Sequence, residues 1–425
     1  MIKTLKNAWG IPELRKKILF TLLILMLFRI GNVIPVPYID VAMLGDYFES
    51  TLSNTILGLY NAMSGSAFSQ ATVFALGIQP YINASIIIQL LTIAIPYLER
   101  RAKEGGEEGK KKIERITRYT TVGLGLLMGW AYYTMLVNYG NSGYAIVTKE
   151  GFLPGLVIVL AFAAGSAMVM WMGEQINEHG IGNGISIILF ANIVSRLPAM
   201  MGNALALGWT ALIVLIGAAA LILFIIFIND AERRIPIQYA KRVVGRKIYG
   251  GQNTNLPIKV SMSGVMPVIF AQSICSLPAT IATFMGKTAD NSWWYRNVWS
   301  SDSWTYCVLY GLMIFFFSWF YSTIQYDPVE ISNNLKKNGG FIPGFRPGKP
   351  TADFIKKVIN KIVVFGAVYL AIVALMPIVA GNLIAGVKNL AIGGTSIIIV
   401  VGVALETVKA LEAQMMMRHY KGFLD

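Results

Sequence analysis

Few residues in this chain have the types and spacing for covalent chemistry. The densest cluster is Glu174-Gln175-Ile176-Asn177-Glu178-His179-Gly180, where two carboxylates and a histidine lie within six positions. Such a set is the raw material of general acid–base catalysis. Here it occupies a tight, glycine-rich connection, Gly180 to Gly184, between two apolar runs. The carboxylates are therefore expected to face the cytoplasm rather than a substrate. His179 and His419 are far apart and neither stands in a metal-ligand spacing. Cys275 and Cys307 both fall inside apolar runs, so no disulfide framework is implied. No Gly-x-x-x-x-Gly-Lys-Ser/Thr motif is present, so the chain is not expected to hydrolyse ATP. No catalytic residue, cofactor or metal is expected.

What recurs instead is aliphatic. Gly77-Ile78-Gln79-Pro80-Tyr81-Ile82-Asn83-Ala84 is echoed by Gly264-Val265-Met266-Pro267-Val268-Ile269-Phe270-Ala271. Gly, Pro, Ile and Ala recur at the same four places. Gly184-Ile185-Ser186-Ile187-Ile188-Leu189 is echoed in the same order by Gly394-Thr395-Ser396-Ile397-Ile398-Ile399. Two halves of similar length carry one plan.

The elements that must hold these positions follow from composition. Of 425 residues, 55% are hydrophobic and 14% charged, and mean hydropathy is +0.58. A soluble domain carries about a quarter charged residues. The chain reads as an all-α polytopic membrane protein. Hydropathy predicts ten helices near 18–36, 73–98, 119–138, 153–173, 185–205, 210–229, 261–284, 305–325, 361–380 and 394–411. The first is expected to be a retained span, since no small-residue cleavage site follows it. Thirty of the 36 Lys and Arg fall on one predicted side. By the positive-inside rule both termini are cytoplasmic, and the net charge of +14 is mainly a topology signal. Division near residue 206 gives five helices in 1–205 and five in 206–425. Five is odd, so the halves insert oppositely, as two pseudo-symmetric inverted halves around a central path.

Residues 1–17 are basic and amphipathic, which suits the anionic leaflet surface. Arg29, near the outer end of the first span, either snorkels or makes a polar contact inside the bundle. Leu57 to Phe68 is too short and too rich in Gly, Ser and Asn to span. It fits an outer loop or a re-entrant element lining a cavity equally well. The charged stretch 99–118 reads as a solvated hairpin. Two long loops dominate the second half, 230–260 and 326–360. The first alternates apolar and polar residues like a protruding hairpin. The second presents Phe341, Phe345 and Arg346 on a Gly/Pro-fixed turn suited to partner docking. Trp293, Trp294, Trp299 and Trp304 suit an interfacial aromatic belt.

The predicted path is lined by Ile82, Ile86, Ile185, Leu189, Ile269 and Ile399. Taken singly, each could be an ordinary packing residue. An ion-coupled carrier of small solutes, the alternative user of inverted repeats, needs intramembrane charge, which is nearly absent. An aliphatic constriction gates by dewetting and offers no specific ligand, which suits a chain of arbitrary sequence. Both echoed helices begin Gly-x-x-Pro, and the proline is expected to loosen them. If they part, an apolar segment of about ten residues gains roughly 3–6 kcal/mol on meeting lipid. That is enough to bias a marginal seam.

Several motifs resemble the SecY family of bacterial protein-conducting channels along essentially the whole chain. They are Phe28-Arg29-Ile30-Gly31 with Ile34-Pro35-Val36-Pro37, Leu76-Gly77-Ile78 through Leu91, and Gly173-Glu174-Gln175-Ile176 with Gly180-Ile181-Gly182-Asn183-Gly184-Ile185-Ser186. Gly340-Phe341-Ile342-Pro343-Gly344 with Arg346-Pro347-Gly348 completes the set. The resemblance implies a channel that moves unfolded secretory polypeptides across the cytoplasmic membrane and releases apolar helices sideways. It implies a pore ring at the six aliphatics above, Leu189 being a mild departure from isoleucine. It implies a plug at Leu59, Tyr60, Asn61, Ala62, Met63, Ser64, Gly65, Ser66, Ala67 and Phe68. It implies a lateral gate including Pro80, Asn83, Ile87 and Gln89 on one helix and Pro267, Phe270, Gln272 and Ser273 on the other. Arg233, Arg234, Lys241, Arg242, Arg246, Lys247, Phe341, Phe345 and Arg346 would form the docking surface for the ATPase SecA or a ribosome. SecE and SecG would be membrane partners, with signal-bearing precursors as cargo.

Overall fold

The computed structural model describes residues 2–49, 58, 60–61, 64–104, 106–140, 146–149, 151–205, 209–239, 242–244, 247–249, 253–261, 264–284, 298, 303–383 and 393–421. The first half contains α1 (Ile2–Trp9), α2 (Pro12–Gly31), α3 (Val41–Tyr47), α4 (Gln79–Ala94), α5 (Pro96–Glu104), α6 (Gly106–Gly140), α7 (Phe152–His179) and α8 (Gly184–Leu205). The second contains α9 (Trp209–Asp230), β1 (Glu232–Tyr239), β2 (Arg242–Val244), β3 (Lys247–Tyr249), β4 (Asn253–Lys259), α10 (Met266–Phe284) and α11 (Trp304–Gln325). It continues with α12 (Pro328–Lys337), β5 (Gly340–Phe341), α13 (Lys349–Leu383) and α14 (Gly393–Lys421). Each of the ten expected spans holds a helix. Stretches of α6, α7 and α13, and the stretch running from α11 into α12, are long and apolar enough to cross a membrane on those grounds alone.

The boundaries depart from expectation for physical reasons. The first long helix starts at Pro12, whose fixed φ and missing N–H suit a first turn. The basic segment Arg15 to Lys17 is therefore helical and continuous with the span. α1 packs on α14, and the Thr4 hydroxyl donates to the Glu412 carboxylate at 3.0 Å. The helix in the predicted 73–98 run begins only at Gln79 and pauses at Ile95 before Pro96. α13 begins at Lys349, well before the apolar run, so its first turns are charged. α12, inside the expected loop 326–360, is capped by Asp327, whose carboxylate accepts from Val329 N at 2.8 Å.

The prolines of the Gly-x-x-Pro starts do not loosen the echoed helices as expected; the interior proline of α10 is Pro278. Pro80 and Pro267 lie in the first turns of α4 and α10, where no backbone donor is lost. The glycine three residues before each is left-handed, with φ +53° at Gly77 and +59° at Gly264. The sequence echo is thus one repeated device, a left-handed turn feeding a proline-started helix.

The packing order repeats as well. α4 lies on α6, α6 on α7 and α7 on α8; α10 lies on α11, α11 on α13 and α13 on α14. The halves meet where α8 packs on α14 and where α4 and α6 pack on α10. Outside the bundle, β1 pairs antiparallel with β4, Ile235 opposite Leu256, as the alternation predicts. β1 also pairs with β5, Gln238 opposite Phe341, so the two long loops share one sheet. Ile235, Ile237, Ile258, Leu335, Ile342, Ile355 and Ile359 form a separate small core beneath it.

Candidate functional site: the apolar waist and its seam

Ile82, Ile86, Leu189, Ile269 and Ile399 are buried in one contiguous cluster, with the partly buried Ile185 packed against it. They come from α4, α8, α10 and α14, two helices of each half. The tendency of α4 to place Ile82 and Ile86 on one face follows from their i, i+4 spacing. Among the described residues no Asp, Glu, Lys, Arg or His is buried. The arrangement offers apolar contact and excludes water; it offers no ligand for an ion.

The seam between α4 and α10 closes over this cluster. Pro80, Asn83, Pro267, Phe270, Gln272 and Ser273 are buried, Gln89 is half-buried, and Ile87 is exposed on the outer face of α4. Phe270 meets Phe317 edge-on at 6.1 Å between centroids, tying α10 to α11. The Tyr60 hydroxyl hydrogen-bonds the side chains of Asn83 on α4 and Ser276 on α10, bridging the seam. Ser276 was missed from sequence; its position three residues after Ser273, on the same helical face, was the available signal.

The segment around Tyr60 is folded inward against the bundle. Tyr60, Asn61, Ser64, Ala67 and Phe68 are buried, and Gly65 and Ser66 are half-buried. Leu59, Ala62 and Met63 lie outside the described residues. Phe68 stacks on Tyr132 at 4.5 Å, and the Tyr132 hydroxyl donates to the Phe68 carbonyl at 2.6 Å. Ser66 and Ala71 adopt left-handed φ of +72° and +43°. Tertiary contacts hold that irregular backbone in place. Tyr132 was also missed: an aromatic in an apolar run carries no local mark of its partner.

Arg29 is exposed yet makes a polar contact, its Nη1 donating to Ser195 Oγ at 3.1 Å. Asn32 Nδ2 donates to Asn192 Oδ1 at 3.2 Å nearby. In the Glu174–His179 cluster, His179 Nδ1 lies 3.9 Å from Glu178 Oε2. Glu174 pairs with Arg118 at 2.8 Å, while Glu178 and His179 are exposed.

The expected docking residues divide into two places. Arg233 and Arg234 lie at the base of β1, exposed beside α13. Phe341, Phe345 and Arg346 lie at the far turn, where Arg346 is exposed and Phe345 packs on Phe354 at 4.3 Å. Arg242 and Lys247 stand in β2 and β3. Lys241 and Arg246 lie outside the described residues, as do Trp293, Trp294 and Trp299, while Trp304 opens α11 and is exposed.

A helical membrane bundle with an uncharged waist between two halves and a helical seam opening on it defines the class: a polytopic membrane protein of channel architecture. The SecY family profile matches residues 72–408, and the chain belongs to the SecY family. It is 43% identical to "Protein translocase subunit SecY" of Streptomyces scabiei and 41% identical to the protein so named in Thermotoga maritima. All of this chain is covered in both, with 100% and 98% of those proteins. Its fold matches "The structure of a protein conducting channel" with TM-score 0.66 at 17% identity, covering 94% of this chain and 92% of that one. It also matches Sec61 in the canine ribosome-channel complex, with TM-score 0.62 at 16% identity over 94% and 92%. The small-solute carrier reading finds no support among these relatives.

Proposed function

We infer that the chain is the channel-forming subunit of a protein translocase, passing unfolded polypeptides through the waist between residues 1–205 and 206–425. The observation that carries this reading is that Ile82, Ile86, Leu189, Ile269 and Ile399 of both halves meet in one buried cluster, while no charged side chain among the described residues is buried. Aliphatic side chains seal against water and ions when the path is empty and slide along any sequence when it is filled. The segment near 57–70 closes the path from one side, and α4 and α10 part to release apolar segments to lipid. The channel is passive; SecA or a ribosome docked on β1, β5 and the Arg346 turn supplies the driving force, with SecE and SecG as membrane partners. The protein sits in the cytoplasmic membrane with both termini and the basic loops on the cytoplasmic side, which the distribution of Lys and Arg supports.

The test is to stall a precursor in the assembled translocase and cross-link it to Ile82→Cys and Ile269→Cys, with exposed Ile216→Cys as the outside control. Cross-links at both inner positions and none at the control support the path. Cross-links confined to the control would place the polypeptide elsewhere.

A further inference from the structure

The turn that carries Arg346 joins β5 to α13, and its first half is fixed by its own sequence. Pro343 and Gly344 take the two central places of a tight turn, closed by Phe345 N donating to the Ile342 carbonyl at 3.1 Å. Proline presets the first φ, and Gly344 supplies the left-handed second at +87°. Ile342 is buried in the small core under the sheet, and the Phe345 ring lies on Phe354 of α13.

The second half lacks such means. Pro347 and Pro350 carry no N–H. Pro350 stands four positions after Arg346, so the Arg346 carbonyl has no helical donor there. Two buried hydroxyls supply what is missing. Thr351 Oγ1 donates to the carbonyl of Arg346 itself at 2.8 Å. Ser332 Oγ, on α12, donates to the Gly348 carbonyl at 2.8 Å. Each of the two residues is 2% exposed, so neither is placed to touch a partner. Between these anchors only the Arg346 side chain is left to solvent, and it is exposed.

We propose that Thr351 and Ser332 are positioning residues for the docking turn, presetting the Arg346 backbone so that its guanidinium meets a carboxylate on the motor without prior ordering of the loop. The proposal rests on the docking role of Arg346 inferred above. A guanidinium pairs with a carboxylate through two parallel bonds, which demands a defined approach. A loop held in its bound form before contact loses less entropy on binding. Thr351 acts on Arg346 directly and Ser332 through Gly348, so Thr351 carries the larger effect.

The test titrates the motor onto the assembled translocase in proteoliposomes, reading binding by fluorescence alongside export. Thr351→Val keeps the shape and removes the hydroxyl. It should raise the half-saturating motor concentration roughly fivefold with the maximal export rate unchanged. Ser332→Ala should raise it about two- to threefold. Thr351→Ser, which keeps the donor, should restore the unaltered value, and circular dichroism should show every variant folded. Arg346→Gln should weaken binding further, and in that background Thr351→Val should add nothing, because a positioning residue has no effect once the group it positions is gone. Unchanged half-saturation in Thr351→Val, a fall in maximal rate alone, or a full fivefold effect added to Arg346→Gln would overturn the positioning role. Normal binding and export by Arg346→Gln would instead overturn the docking role of Arg346, and this inference with it.

Discussion

Gly77 and Gly264 begin α4 and α10 with the same left-handed turn and the same proline in the first turn, and the helices then deliver isoleucines to the waist, Ile82 and Ile86 from α4 and Ile269 from α10. What surrounds the two starts differs. The first half folds residues 64–71 back over Tyr132, against the seam. The second half sends its extra chain the other way, into a sheet and α12 outside the bundle. The shared device places the buried isoleucines. In the proposed reading the unshared insertions close the path and meet a partner, so the repeat would fix the passage and departures from it its control.

Removing the first half's insertion at its anchor should have the largest effect. Phe68 is 1% exposed and contacts Phe48, Tyr60 and Tyr132. Phe68→Ala should cost about 3–5 kcal/mol locally, seen as lost hydrogen-exchange protection over 64–71 and as increased ion leak in single-channel recordings. A silent channel with intact protection would detach this segment from closure.

Next come changes to the waist itself. Ile82→Asn and Ile399→Asn each bury an amide without a partner, costing about 1–3 kcal/mol in the closed state. Export of a signal-defective precursor should rise in both. A rise in only one would break the equivalence of the halves.

The paired turns sharpen the comparison further. Gly77→Ala and Gly264→Ala should each cost about 1–2 kcal/mol in thermal unfolding, because a Cβ is disfavoured at positive φ. The two costs should be similar, since at Gly264 the added Cβ would meet only Glu406 Oε1, the end of a flexible side chain that can turn aside, and at Gly77 the Phe74 carbonyl lies 3.9 Å away. Tyr60→Phe removes the hydroxyl that joins Asn83 to Ser276. It should cost about 1 kcal/mol, seen as faster exchange at the start of α4 and in the middle of α10. Faster exchange in α4 alone would mean that the bridge to Ser276 carries no weight.

The smallest effect on stability belongs to the exposed turn. Arg346→Glu should shift stability by less than about 0.5 kcal/mol while slowing motor-driven export. Unchanged export would remove Arg346 from the docking surface.

Ten helices, the absence of charge at Ile82, Ile269 and Ile399, and the paired Gly-x-x-Pro echo were legible in the chain, because hydropathy and composition act over a few residues; that Gly77 and Gly264 are turns before the helices was not. The early start of α13 was not, since a helix continues into water wherever its charged turns find packing, here against α12. The joining of the two basic loops through β1 and β5 was not either. A two-residue strand has no pattern to read, and its partner is about a hundred residues away.

The amino-acid sequence by itself determined that this chain lives in a membrane, that its plan is stated twice, and that its middle can bind nothing tightly. Only the tertiary structure decided that Tyr60 spans the seam, that Phe68 rests on Tyr132, and that Arg233 and Lys361 face one cavity. The reason is physical. Transfer from water to lipid is a property of each segment, whereas a hydrogen bond, a ring stack or a cluster of cations exists only when distant segments arrive at one place.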